Sequence, residues 1–210
     1  MKKIIYGLFF GDSITYGEYD GIFGGWVDIL KRYALQKCNE GSANELILFN
    51  LGIGGETTDG LVKRMRHEMA ARNSPSGNII FIAYGANDLA VREGNYIVNP
   101  EQFRANLQYA VQEAEKYSDA VYLVSILPFS EKVDGIVVSS GKLRNNHTVV
   151  EYNKILQETA AEFQISYIDF YSVFLKDKEI LLSADGVHPN EKGYGLMAET
   201  LIPLIDRYLQ

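Results

Sequence analysis

Cysteine is almost missing from this chain: Cys38 is the only one among 210 residues. That excludes an internal disulfide and any metal site built on thiolates. Histidine is nearly as scarce, with three residues, His67, His147 and His188, so each merits inspection. Long apolar runs are absent too. No stretch of eighteen or more apolar residues occurs, so the sequence encodes no membrane-spanning helix. Positive charge is in deficit: 20 Lys and Arg against 27 Asp and Glu give a net charge of −7. That balance argues against nucleic-acid binding and against an anionic membrane surface, both of which require a basic face. Apolar residues make up 47 % of the chain, enough for a substantial core and too many for a disordered protein.

The opening MKKIIYGLFF resembles a signal peptide for a few residues, but its apolar run is short and no small-residue cleavage site follows. It reads as a first strand, and the expectation is a cytoplasmic protein without a stable membrane anchor. Apolar runs and amphipathic segments then alternate. Strands are expected over 3–10, 46–50, 78–85, 120–128 and 166–170, and helices over 24–38, 57–72, 100–117, 148–164 and 190–209. The last helix should be disturbed at Pro203. Most strands are continuous apolar runs, as expected when both faces are covered. The expected architecture is α/β: one domain over 1–210, an open parallel sheet with helices on both sides. The longest irregular stretch, 129–146, follows a strand and is a candidate lid or pocket wall.

In such a sheet, ligands bind where loops leave the strand C-termini. Four stretches fall on that edge. Gly11-Asp12-Ser13-Ile14-Thr15 places a hydroxyl where a strand gives way to a helical turn, although Asp12 and Ser13 also suit a plain turn and cap. Asn50-Leu51-Gly52-Ile53-Gly54-Gly55-Glu56-Thr57 lets the backbone approach a ligand closely; Thr57 stands where a dinucleotide fingerprint needs its third glycine. Gly85-Ala86-Asn87-Asp88 offers an uncharged amide donor or an ordinary turn. Asp185-Gly186-Val187-His188 sets a carboxylate three residues from an imidazole, close enough to fix its tautomer. Together they supply a nucleophile, a base, an orienting acid and oxyanion donors. Ser13 and His188 lie 175 residues apart, so only the sheet topology can join them.

GDSITYG, NLGIGGETT, GAND and DGVHPNEKGY, taken in order, resemble the sequence blocks of the SGNH (GDSL-type) hydrolases, a family of esterases, lipases and acetylhydrolases. Ile14 replaces the leucine of the family name. The resemblance implies a three-layer α/β/α, flavodoxin-like fold with a five-stranded parallel sheet of order 2-1-3-4-5. It implies a serine hydrolase without cofactor or metal: Ser13 as nucleophile, His188 and Asp185 completing a catalytic triad, and an oxyanion hole of Ser13, Gly55 and Asn87. Gly54 rivals Gly55 by register alone. The substrate is then a small-molecule ester: a lysophospholipid, a short acyl or aryl ester, a thioester or an acetylated sugar. A carbohydrate O-deacetylase is the alternative within the enzymes, and a catalytically silent acyl- or sugar-binding module is the alternative outside them.

Other features read more plainly. His67-Glu68 lacks the second histidine of a zinc-protease motif, and His147 reads as a surface or cap residue that the 129–146 stretch could carry toward the pocket. GIVVSSGK over 135–142 has five residues between its glycines where a phosphate loop needs four. Asp12 and Asp88 are expected to bond loop backbone. Tyr16, Tyr19 and Tyr194 are candidates for either the acyl pocket or the core, and Cys38 for the core at a helix end.

Overall fold

Five short apolar runs supply the strands of one parallel sheet. In the computed structural model, which describes residues 2–118 and 120–210, these are β1 (Ile4–Gly11), β2 (Glu45–Gly52), β3 (Asn78–Ala83), β6 (Ala120–Val124) and β9 (Ser166–Ile168). Their order is β2-β1-β3-β6-β9, all parallel, which is 2-1-3-4-5 when only these five are counted. Helix α2 (Trp26–Asn39) pairs with α8 (Glu191–Leu209), while α3 (Thr58–Ala71), α4 (Pro100–Ala114) and α5 (Asn146–Glu162) pack in sequence. The result is a single α/β/α domain, as the alternating pattern predicts, with the strand order that the family resemblance implies.

The central strand explains its own composition. Leu8, Phe9 and Phe10 are fully buried because helices cover both faces. Phe9 stacks on Phe81 of β3 at 4.2 Å, Phe81 stacks on Tyr122 of β6 at 4.7 Å, and Trp26 meets Phe9 edge-on at 5.3 Å. This aromatic row ties three strands to α2, with offset and edge geometries that add to the area buried.

Strand register positions the site. Gly11 lies opposite both Gly52 and Ala83, so β1, β2 and β3 end level with one another. The loops that follow therefore start side by side. Directly after β1, the short helix α1 (Ser13–Tyr16) folds back over the end of β2. A Cβ on Gly52 would stand 2.2 Å from the backbone nitrogen of Tyr16, so only glycine permits that approach.

Three expectations need correction. The 129–146 stretch is not irregular throughout: β7 (Ile136–Val137) and β8 (Leu143–Arg144) lie in it. They join β4 (Val91–Arg92) and β5 (Asn95–Tyr96) in a small antiparallel sheet of order β5-β4-β8-β7. Each element is two residues long, too short to show a period. The expected strand over 166–170 ends at Ile168, and α6 (Phe170–Leu175) and α7 (Lys178–Leu181) fill the path to α8. Finally, α8 runs unbroken through Pro203. Pro203 and Glu199, whose carbonyl loses its helical partner, both face solvent, while Leu204, Ile205 and Leu209 anchor the following turn in the core.

Candidate active site

Ser13 is the first residue of α1, with Asp12 as its N-cap: Asp12 Oδ1 accepts from the Ile14 N–H at 2.9 Å. This turn holds the Ser13 hydroxyl at the level strand ends. Far away in sequence, residues 182–189 form a tight loop closed by the Ser183 N–H to the His188 carbonyl at 2.7 Å. Asn190, the N-cap of α8, clamps that loop by donating to the carbonyls of Ile180 at 2.7 Å and Leu182 at 3.0 Å. The loop brings His188 Nε2 to 2.7 Å from Ser13 Oγ. Asp185 Oδ2 lies 2.6 Å from His188 Nδ1. Three groups anticipated from separate motifs thus form one hydrogen-bonded chain.

The carboxylate of Asp185 is well supported. Its Oδ1 accepts from Ser183 Oγ at 2.6 Å and from the N–H groups of Val187 and His188 at 2.9 and 3.0 Å. Burial works to raise its pKa, but the bonds from His188, Ser183 and this backbone outweigh burial and hold the carboxyl well below the usual aspartate range. Asp185 is therefore held in its ionised form, and it favours the Nδ1–H tautomer of His188. Nε2 is then free to accept from Ser13.

Asn87 and Gly55 complete the ring of groups around Ser13. Both line the same cavity as Ser13, Asp185 and His188, a cleft of about 440 Å³. Gly54 does not line it. Gly55 adopts φ +75°, which favours glycine, and neither its N–H nor that of Ser13 has a protein acceptor among the described residues. Asn87 Nδ2 donates to the Glu56 carbonyl at 3.2 Å and stands 3.5 Å from Asp12 Oδ2. The Gly55 loop is braced by Glu56, whose carboxylate accepts from Arg64 Nε and Nη2 at 2.7–3.0 Å and from the Tyr84 hydroxyl at 2.6 Å.

A match along most of the sequence accords with this geometry: residues 9–196 fit the GDSL-like lipase/acylhydrolase family. The chain belongs to that family. This GDSL-type serine hydrolase, a general esterase or acylhydrolase, is similar over its full length to a lipase/acylhydrolase from Enterococcus faecalis, at 26 % identity and TM-score 0.77, covering 98 % of that chain. It is 24 % identical to the spore germination lipase LipC of Bacillus licheniformis, covering 91 % of this chain and 92 % of that one. It shares its fold with an acetylxylan esterase from Geobacillus stearothermophilus, at 22 % identity and TM-score 0.72, covering 95 % of this chain and 93 % of that one.

Around the hydrolase site, the remaining expectations sort by contact. Asp12 and Asp88 bond backbone, but at the first turns of α1 and α3 rather than within the loops expected. Asp88 Oδ1 accepts from the Thr58 N–H at 2.9 Å and from its hydroxyl at 2.5 Å, pinning the start of α3. Burial pushes Asp12 up to about 6 and Asp88 up to about 7; the Thr58 bonds oppose the rise at Asp88, and the Ile14 N–H, His188 and Arg144 oppose it at Asp12. Tyr19 lines the cleft, its ring 5.1 Å from that of His188. Tyr16 is exposed, and Tyr194 is buried with its hydroxyl donating to the Glu18 carbonyl at 2.8 Å. His67 is exposed, and His147 is exposed beside Glu151 rather than in the cleft. Cys38 is half-buried against the core.

Sequence reasoning missed Glu18, Lys142 and Arg144, all of which line the cleft. Glu18 Oε2 is 3.8 Å from His188 Nε2. Its position five residues after Ser13 was a usable signal; the two cations lie in the 129–146 stretch, which does wall the cleft, but its one motif, GIVVSSGK, failed as a phosphate loop and nothing else singled out Lys142 or Arg144. A second cavity of about 20 Å³ is lined by Asp12, Thr15 and Trp26 among others, room for one water and not for a substrate. Thr15 Oγ1 and Trp26 Nε1 are buried without a protein partner among the described residues.

Proposed function

We propose that the enzyme cleaves a carboxylic ester by passing its acyl group first to Ser13 and then to water. The 2.7 Å contact between Ser13 Oγ and His188 Nε2, backed by Asp185 on the far side of the ring, carries this reading. His188 takes the hydroxyl proton as Ser13 attacks the carbonyl carbon, and Asp185 stabilises the imidazolium. The backbone N–H groups of Ser13 and Gly55 and Nδ2 of Asn87 receive the oxyanion. His188 then returns the proton to the leaving alcohol. Water, deprotonated by the same histidine, releases the acid. Such donors count where charge develops in the transition state; Asn87 Nδ2 would give up its long 3.5 Å contact with Asp12 Oδ2 to the oxyanion while keeping its bond to the Glu56 carbonyl.

The cleft wall favours a short acyl group on a polar alcohol. Ser139, Ser140 and Lys142 bring polar groups to a lining that also includes Ile14, Tyr19, Ala86, Val138 and Val187, a mixture suited to a polar alcohol beside a small acyl group. The same wall supports a second reading, a carbohydrate O-deacetylase. A panel of p-nitrophenyl esters graded by chain length, acetylated sugars and a lysophospholipid, each run with the Ser13→Ala variant, tests both. The expected result is preference for acetate or butyrate, with Ser13→Ala inactive and unlabelled by a fluorophosphonate in intact mass. Each methylene seated in an apolar pocket contributes about 0.8 kcal/mol, so a steep rise with chain length would reject the short-acyl reading. Label retained in Ser13→Ala would move the nucleophile elsewhere.

A further inference from the structure

The two cations that reach the cleft converge on a single atom. Asn87 Oδ1 accepts from Lys142 Nζ at 3.0 Å and from Arg144 Nη2 at 3.2 Å. Arg144 is fixed in turn: its Nε donates to the Ala86 carbonyl at 2.8 Å, its guanidinium lies 5.8 Å from the centre of the Phe129 ring, and its own carbonyl accepts from the Gly135 N–H at 2.8 Å. Arg144 is buried and Lys142 half-buried. Among the described residues, neither has a carboxylate oxygen within 4.0 Å. Asp12 attracts both cations and Asp185 attracts Arg144, but from beyond ion-pair distance, so holding two buried cations on one amide oxygen is unfavourable and calls for a reason.

We propose that Lys142 and Arg144 are positioning residues of the oxyanion hole that act through Asn87, an inference resting on the role given to Asn87 above. Two consequences follow from the geometry. The amide cannot turn over, because a flip would set Nδ2 against two cations and aim a carbonyl oxygen at the developing oxyanion. Positive charge on Oδ1 also draws electron density from the amide nitrogen, which makes Nδ2–H a stronger donor. The small antiparallel sheet thus does more than wall the cleft: it delivers β8, and with it the two groups that aim Asn87. Were the contacts only a fastening between sheet and body, their loss would alter stability and leave turnover intact.

A double-mutant cycle separates the two roles. Lys142 carries the test because it is partly exposed, whereas removing buried Arg144 risks the fold. Steady-state kcat and KM on p-nitrophenyl acetate, with melting temperature, are measured for wild type, Lys142→Met, Lys142→Arg, Asn87→Ala and the double variant Lys142→Met/Asn87→Ala. Lys142→Met should lower kcat about tenfold with KM within twofold, as loss of one charged hydrogen bond on the amide implies. Lys142→Arg should recover kcat to within about threefold of wild type. In the Asn87→Ala background, Lys142→Met should change kcat by less than twofold. Equal losses in both backgrounds would overturn the inference, as would a raised KM with unchanged kcat. An Asn87→Ala variant with wild-type kcat would instead refute the oxyanion role of Asn87 itself, a different failure from that of the cations.

Discussion

Asp88 lies fully buried with one oxygen on Thr58 and the other, Oδ2, without a partner among the described residues. Burial, helped by the charge of nearby Asp12, moves its pKa from 3.8 to about 7. The sign of the consequence follows from linkage. Between these values the native state holds a proton that the unfolded chain has released, so stability falls as pH rises through that window. The penalty is absent below about pH 4 and complete above about pH 7. Its size follows from ~1.4 kcal/mol per pKa unit: roughly 4 kcal/mol, a large share of a typical domain's stability. Asp88→Asn keeps an oxygen for Thr58 and removes the charge. Denaturant melts of wild type and Asp88→Asn at intervals from pH 4 to pH 8 read the difference directly. The variant should gain on the wild type by up to about 4 kcal/mol across the series, nearly all of it before pH 8. A stability difference constant over that range would show that Asp88 ionises normally, and the account of its buried environment would fail.

Three further outcomes are expected. Asn87→Ala should reduce kcat by ~10²–10³ with little change in melting temperature, and a fall of less than threefold would remove it from the oxyanion hole. Asp185→Asn keeps an oxygen for Ser183 and the loop backbone but turns an N–H toward His188 Nδ1. That forces the proton onto Nε2, facing Ser13, and turnover should fall roughly 10⁴-fold while the fold survives; a loss under tenfold would refute the tautomer argument. Glu56→Ala leaves Arg64 and the Tyr84 hydroxyl without their shared acceptor, and urea unfolding should register a loss of about 3 kcal/mol together with lower kcat as the Gly55 loop loosens. Unchanged stability would mean that the ion pair is dispensable.

Much of this was legible in the sequence because the signals were local. Continuous apolar runs such as IIYGLFF and NIIFIA carry the mark of strands covered on both sides, and each was separated from the next by a helical period. Once a parallel sheet was granted, the loops bearing Ser13, Gly55 and Asn87 had to share one edge, while His188 reaches it only by way of α6 and α7. What stayed hidden depended on long-range pairing. Val91 opposite Leu143 joins strands of two residues each, and neither VR nor LR shows alternation. The same pairing brings Lys142 and Arg144 to Asn87, so these cations could not be found before the small sheet was. At Pro203 the local rule accounts for the Glu199 carbonyl losing its helical partner, while downstream burial of Leu204 and Ile205 keeps α8 continuous.

Val138, Ser139 and Ser140 form the tip of a hairpin whose returning arm bears Lys142 and Arg144. Retargeting the enzyme to bulkier esters by grafting a foreign loop over 138–144 would therefore trade recognition against turnover, since the exchanged segment touches Asn87 as well as the substrate space. Only the tip, 138–140, is free to diversify; a graft that spares the arm can change which molecules enter without unsettling the groups that act on them.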